Sequence, residues 1–300
     1  MSSLLIITGK NKEFFKTYLR NALNYMAFVK MSGDDTVYEG KYNPNNNYTK
    51  KVPILMYHHL AEESNGSSVI SIEKFESQIK ALSQAGYTGV SLKQLVDYVE
   101  KGIELPEKPI VITFDDGYAS NYEIAYPILK KYNMKATIFV IGSTVGKDTY
   151  KDTGHKIIPH FSYEEAKEMV DSGLIEIQSH TYDMHQHPDY EKGEARNGVV
   201  QLDGESEESF VKVIRTDFLK SKKEIEKGTG QEVFALAYPL GKYSNLSEVV
   251  LKEMGVKTTL SVESGANTLI KGLPQSLQAM KRFSISEEIS PEKLIELLSR

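Results

Sequence analysis

The chain has 300 residues, 40% of them hydrophobic, and a formal net charge of -5. That is enough apolar material for one large domain or two small ones, and the acidic balance argues against nucleic acid as a partner. With no cysteine the chain has no thiolate metal ligand, cysteine nucleophile or disulfide, and with no Trp any stacking on a sugar falls to the 18 Tyr and 11 Phe.

Residues 1–51 read as an N-terminal extension or linker. Leu4-Leu5-Ile6-Ile7 is too short for the apolar core of a signal peptide, and no run approaches the ~18 apolar residues of a membrane span. Phe14, Phe15, Tyr18, Leu19, Leu23 and Met26 recur at near-helical spacing among mostly positive charges, which predicts one amphipathic helix. Such a helix either packs on the following domain or lies on a membrane surface. Asn43-Pro44-Asn45-Asn46-Asn47 marks the loop before the domain.

From residue 52 the chain alternates strand and helix. Pro53 to Tyr57 reads as the first strand. A helix starts near Ser71, aligns Ile72, Phe75, Ile79 and Leu82 on one face, and stops at Gly86. After a weak strand over Tyr87 to Val90, the capping box Ser91 to Gln94 opens a helix that ends near Gly102. Pro109-Ile110-Val111-Ile112-Thr113-Phe114-Asp115-Asp116-Gly117 is a short β-branched and aromatic run bounded by Pro and Gly, hence a buried strand. A helix over about Tyr122 to Tyr132, a strand from Ala136 to Ile141 and a second capping box at Ser162 to Glu165 follow. The helix opened there ends near Gly173, where a strand leading to His180 begins. Further on, Phe210 to Lys227 and Ser244 to Met254 read as helices, and Val233 to Tyr238, Val256 to Ser261 and Phe283 to Ile285 as strands. Ser290-Pro291 starts a last helix. Seven or eight βα units without a linker or internal repeat predict an α/β fold, a single (β/α) barrel over residues 52–300. The Gly- and acid-rich stretch Gln186 to Ser209 breaks the rhythm. It reads as a rim facing substrate, with Gly198 and Gly204 allowing it to move.

Asp115 and Asp116 end the buried strand, and in α/β folds ligands bind where strands end. Adjacent carboxylates both stay ionised only beside a cation or a set of donors, so they predict a metal; the plainer alternative is an Asp-Gly turn. On a helix His180 and His185, five apart, would lie roughly 140° round the axis. They are therefore read as one residue at a strand end and one in the loop after it. One carboxylate and two imidazoles are a common zinc ligand set that leaves a position for water. Asp116, His180 and His185 are the candidate ligands, which leaves Asp115 free to take a proton.

Thr113-Phe114-Asp115-Asp116-Gly117 together with Ser179-His180-Thr181 resembles the polysaccharide deacetylases of carbohydrate esterase family 4, which share the NodB homology domain. The resemblance covers roughly residues 52 to 299 and implies a distorted barrel of NodB type. It also implies Asp115 as general base, with Asp116 and both histidines holding zinc or another divalent transition metal such as cobalt or nickel. Most members space the two histidines by four residues. The spacing of five here, with Val52-Pro53-Ile54-Leu55-Met56-Tyr57-His58-His59 upstream, is similar to the branch acting on poly-N-acetylglucosamine-type exopolysaccharides.

The chain departs from the family pattern in two ways. Ala235 to Gly241 falls where members usually have Arg-Pro-Pro-Tyr-Gly, so Ala237 replaces an Arg that orients the catalytic Asp. Arg282, near the end of the last strand, either supplies that charge or is a surface cation. The backbone N-H that members use for the oxyanion would fall at Leu240, and a main-chain donor does not depend on the side chain. No histidine follows His187, where members place a general acid, so the proton comes from His58, His59 or His187, or back from Asp115. His58 follows a strand and projects at the metal end. His59 reads as structural, His187 equally as a solvated loop residue, and His155 and His160 as non-ligands.

The resemblance implies metal-assisted hydrolysis of N-acetyl groups on an acetylated hexosamine polysaccharide, exopolysaccharide or peptidoglycan, outside the cytoplasm or at the cell surface. An O-acetyl xylan esterase, a sugar-binding relative without catalysis and a non-haem iron oxygenase are the alternatives.

Overall fold

The computed structural model describes residues 48–64, 66 and 68–299; the amphipathic pattern expected in the extension lies outside the described residues. In chain order the strands are β1 (Thr49–Val52), β2 (Ile54–Tyr57), β3 (His59–Ala61), β4 (Val69–Ser71), β5 (Thr88–Gly89), β6 (Pro109–Phe114), β7 (Ala136–Val140), β8 (Ile175–Ser179), β9 (Ala235–Ala237), β10 (Thr258–Leu260), β11 (Asn267–Ile270) and β12 (Phe283–Ser284). The central sheet runs β10-β9-β8-β7-β6-β2-β12, and every pairing in it is parallel. β5 pairs with the first residues of β6, and β7 pairs with its last. The curled sheet is a distorted (β/α) barrel, as expected.

One short segment joins the sheet's two ends. Met280 bridges Leu260 beside β10, donating its N-H to Thr259 O at 2.8 Å and accepting from Ser261 N-H at 2.9 Å. Three residues later Phe283 and Ser284 pair with Leu55 and Met56 of β2. Two small pairings were not expected: β1 runs antiparallel to β11, and β3 parallel to β4. β1 takes Thr49–Lys51 into the fold, ahead of the boundary drawn at residue 52.

Helices Ile72–Gln84, Leu92–Lys101, Tyr163–Asp171, Glu207–Thr229, Asn245–Glu253 and Pro291–Leu298 all begin after a serine whose side chain accepts a hydrogen bond from the first turn, which satisfies an otherwise orphaned N-H. The helix expected over Tyr122 to Tyr132 instead opens with a π-helical turn, Asn121–Ala125, before Tyr126–Lys131. Pro127 has no N-H to give the carbonyl four residues back, and the wider turn avoids that missing bond.

Alternation along the strands sorts the interior. Leu55, Tyr57, Ile112, Phe114, Ile138 and Val140 face the helix layer, in one core with Phe75, Ile79, Phe210 and Phe218. Ile54, Val111, Phe139, Ala235 and Ala237 belong to a second core. The same parity carries Thr113 on β6 and Asp115 just after it, and Glu176 and Gln178 on β8 and His180 just after it. These buried polar side chains find partners. Gln178 accepts from the amides of Phe234 and Ala235, and Glu176 from those of Leu92 and Lys93. Asp115 and His180 end these polar series, at the C-terminal mouth of the sheet.

The expected rim is more structured than a free loop. His185 and Val199 form bridges to Asn197 and Tyr243, and Arg196 ties Val200 O to Glu205. Gly198 donates to Met184 O, and a Cβ there would lie 2.5 Å from the Lys242 side chain. Close packing against Lys242 is thus one requirement for glycine there.

Candidate active site

Period-two alternation would send Asp115 and Asp116 to opposite faces. The backbone prevents this: Asp116 has φ 74° and Gly117 φ 84°, and the left-handed pair turns the second carboxylate back over the mouth. A side chain at Gly117 would meet Val140 Cγ1 at 2.9 Å, so glycine is required there for space as well as for conformation.

Asp115 is 2% exposed and Arg282 0%, which rules out the surface-cation reading of Arg282. The residue precedes β12, and its guanidinium donates from Nη1 to Asp115 Oδ1 (2.7 Å) and from Nη2 to Oδ2 (2.8 Å). Nε donates to Ser261 O at 2.9 Å, and Nη1 also reaches Thr113 Oγ1 at 3.3 Å. Burial alone would push the Asp115 carboxyl up. The charge of Arg282 and its hydrogen bonds outweigh it and hold the group well below the usual carboxylate range. A bidentate, planar donor is what Arg offers here and Lys does not.

Asp116, His180 and His185 converge, with their ligand atoms all within 4.8 Å of one another. His180 Nε2 is 3.6 Å and His185 Nε2 3.7 Å from Asp116 Oδ1, and that oxygen is buried without a hydrogen-bond partner among the described residues. His180 Nδ1 donates to Ala237 O at 2.8 Å, which fixes the tautomer and leaves the Nε2 lone pair facing Asp116. Burial lowers the His180 pKa despite the neighbouring carboxylates, so the ring is neutral and able to ligate. An orphaned buried oxygen and two imidazole nitrogens aimed at one point fit a divalent transition metal.

His58 follows β2 directly, at the same end of the sheet as Asp115. Leu240 lies in the Pro239–Gly241 turn with φ 52° and ψ 17°, and the amides of Gly241 and Lys242 are spent within that turn on Tyr238 O and Pro239 O. His59 is structural, its Nδ1 2.9 Å from Ser120 Oγ. His187 is not brought to the site. It is exposed, and its ring and that of His155 stack on Tyr190 with centroids 4.2 Å away in each case.

Sequence reasoning missed three contributors. Tyr118 is half-buried beside the Asp116 carboxylate; loss of water around it first, then that neighbouring charge, push its phenol far up. The rings of His59 and His160 flank it, with centroids 5.2 and 5.0 Å away. Burial drives His160 down to about 4, so it stands neutral beside the site. The third is Ala237, whose carbonyl orients His180 from the position where an Arg side chain was sought. Adjacency of Tyr118 to Asp-Asp-Gly was the available signal; a carbonyl leaves none in a sequence.

The fold and site define a class: a parallel α/β barrel with a carboxylate-imidazole cluster at its mouth and a second carboxylate clamped by arginine beside it. The chain belongs to the polysaccharide deacetylase family, whose model matches residues 102–259. It is 33% identical to YxkH of Bacillus subtilis (strain 168) over 241 residues, 80% of this chain and 73% of that protein. It is also 35% identical to the poly-beta-1,6-N-acetyl-D-glucosamine N-deacetylase of Staphylococcus aureus (strain MRSA252) over 199 residues, 66% of this chain and 63% of that one. Among solved structures, the deacetylase PplD of Streptococcus pyogenes in complex with acetate aligns with a TM-score of 0.64 at 26% identity, over 83% of this chain and 98% of that one.

Proposed function

We propose that this chain is a metal-dependent hydrolase that removes N-acetyl groups from an N-acetylglucosamine-containing polysaccharide, with poly-N-acetylglucosamine-type polymers the first class to try. The observation that carries this reading is the clamped Asp115 beside the Asp116, His180 and His185 cluster. Similarity to the S. aureus enzyme supports the substrate class. Zinc, or a divalent ion such as cobalt or nickel, would be held by Asp116, His180 and His185 and would supply Lewis acidity to the acetyl carbonyl and acidify a water.

Asp115 receives the proton of the attacking water. Arg282 keeps the carboxylate ionised and pinned by both oxygens, so the base is in the correct state and orientation before substrate arrives. Charge developing on the carbonyl oxygen meets the main-chain N-H of Leu240, a donor whose position is set by backbone. His58 hands a proton to the departing amine as the C-N bond breaks and acetate leaves. The sugar-binding reading without catalysis drew on the missing family Arg and the missing late His; the placement of Arg282 answers the first, and the second stands. A polymer substrate of this kind lies outside the cytoplasm, which is where the chain would act.

Acetate release from partially acetylated poly-glucosamine and chitooligosaccharides tests this, using metal-stripped protein with zinc added back. Release restored by zinc and absent in Asp115→Asn is expected. Release that survives that substitution would remove Asp115 from the mechanism, and sugars bound without release would return the chain to the non-catalytic reading.

A further inference from the structure

The turn between the two histidine ligands has an unusual source of order. From Thr181 to Met184, each of the four amides donates to a side-chain oxygen. Thr181 N-H goes to Ser179 Oγ at 3.0 Å, and Met184 N-H to Thr181 Oγ1 at 3.1 Å. Tyr182 N-H and Asp183 N-H go to Asp217 Oδ1 and Oδ2, each at 2.7 Å. Two of these acceptors lie in the His180 strand and its turn; Asp217 comes from the middle of the long helix Glu207–Thr229. One helical turn further along, Ser221 Oγ meets Ser179 Oγ at 2.8 Å. A single helix face therefore grips the end of β8 and the turn after it.

We propose that Asp217 is a positioning residue for the metal site, fixing the turn that delivers His185 opposite His180 and Asp116. The physical need is plain. Thr181 sits at φ 70°, a conformation that a β-branched residue adopts only when its surroundings impose it. Charge-assisted bonds to two successive amides are strong and directional. They hold the turn without using any side chain that must face the metal. His185 is the more exposed ligand of the pair, with 23% of its side chain open against 3% for His180. Among the described residues no carbonyl clamps its ring as Ala237 clamps that of His180, so its position depends most on the turn. This inference rests on the metal reading of the cluster and goes beyond it by naming what shapes the site from behind.

Zinc affinity of the full-length chain, by competition with a chromophoric chelator, is the test, alongside thermal midpoints of the metal-free proteins. Asp217→Ala, which removes both acceptors, should weaken zinc by about tenfold or more, and Asp217→Asn, which keeps one acceptor oxygen, by less. Ile225→Val on the same helix removes one buried methylene from the core and should lower the thermal midpoint without moving zinc affinity. If Asp217→Ala does not fold, Asp217→Asn decides. Zinc affinity within twofold of wild type in the Asp217 variants would overturn the inference while leaving the metal reading intact. So would a loss in Ile225→Val in proportion to its lost stability. A wild-type chain that takes up no zinc would overturn both.

Discussion

At the scale of single residues, the proposed mechanism turns on Asp115 and the arginine that clamps it. Arg282 lies 167 residues after Asp115 and is fully buried, so removing it strands a carboxylate in the barrel. Arg282→Met should cost about 3–5 kcal/mol of stability, as broken buried ion pairs do, read from urea unfolding. The sign with pH follows from the depressed Asp115 pKa. The pair's contribution is present above the ordinary carboxylate pKa and is lost only as pH falls through the lowered folded value. In Arg282→Met that protection is gone, and the acid limb of the pH-rate profile should move upward; an unmoved limb would mean that Arg282 does not set the ionisation of the base. For the amine's proton, His58→Gln should lower turnover by roughly 10²–10⁴ with zinc content unchanged. Wild-type turnover in that variant would point instead to Asp115 returning its proton.

At the scale of elements, the long helix is where stability and function part company. Burial, with backbone bonds opposing it, pushes Asp217 up to about 6, above the value of an unfolded chain. Its contribution to stability is therefore full below the unfolded pKa of about 4 and is lost as pH rises through about 6. Metal-free wild type should lose ground to Asp217→Asn over that window in urea midpoints, and a constant difference across it would contradict the burial argument. Elements whose signals are local were legible in the sequence: capping serines at Ser71, Ser91, Ser162 and Ser290, and the buried run ending in Asp115-Asp116-Gly117. The convergence of Asp116, His180 and His185 was legible because strand ends and loops are readable from pattern. What escaped depended on contacts distant in sequence. β1 and β11 are short and pair across most of the domain, Asp217 acts through amides of another element, and Ala237 acts through a carbonyl. The π-helical turn had a readable cause in Pro127, but a single proline inside a helical pattern does not say how the turn adapts.

At the scale of the whole molecule, the site depends on barrel closure. Asp116 follows β6 and His180 follows β8, with β7 between them in the sheet, while Arg282 arrives on the segment that joins β10 to β2. An ion held by Asp116, His180 and His185 would thus link the loops of two strands that are not neighbours, a constraint available only to the folded chain. Binding to the native state alone stabilises by about 2.7 kcal/mol at a free ion concentration 100 times Kd. For a domain of this size each kcal/mol is worth roughly 2–4 °C, so saturating zinc should raise the thermal midpoint of stripped protein by roughly 5–10 °C. Asp116→Asn keeps the size of the side chain and removes the charge that two imidazoles face. The rise should then largely vanish, while the midpoint of the metal-free variant stays near or above that of wild type, because a buried oxygen without a partner no longer carries charge. An undiminished rise in that variant would mean that zinc stabilises the chain from a different set of ligands, and the cluster at the barrel mouth would no longer account for metal binding.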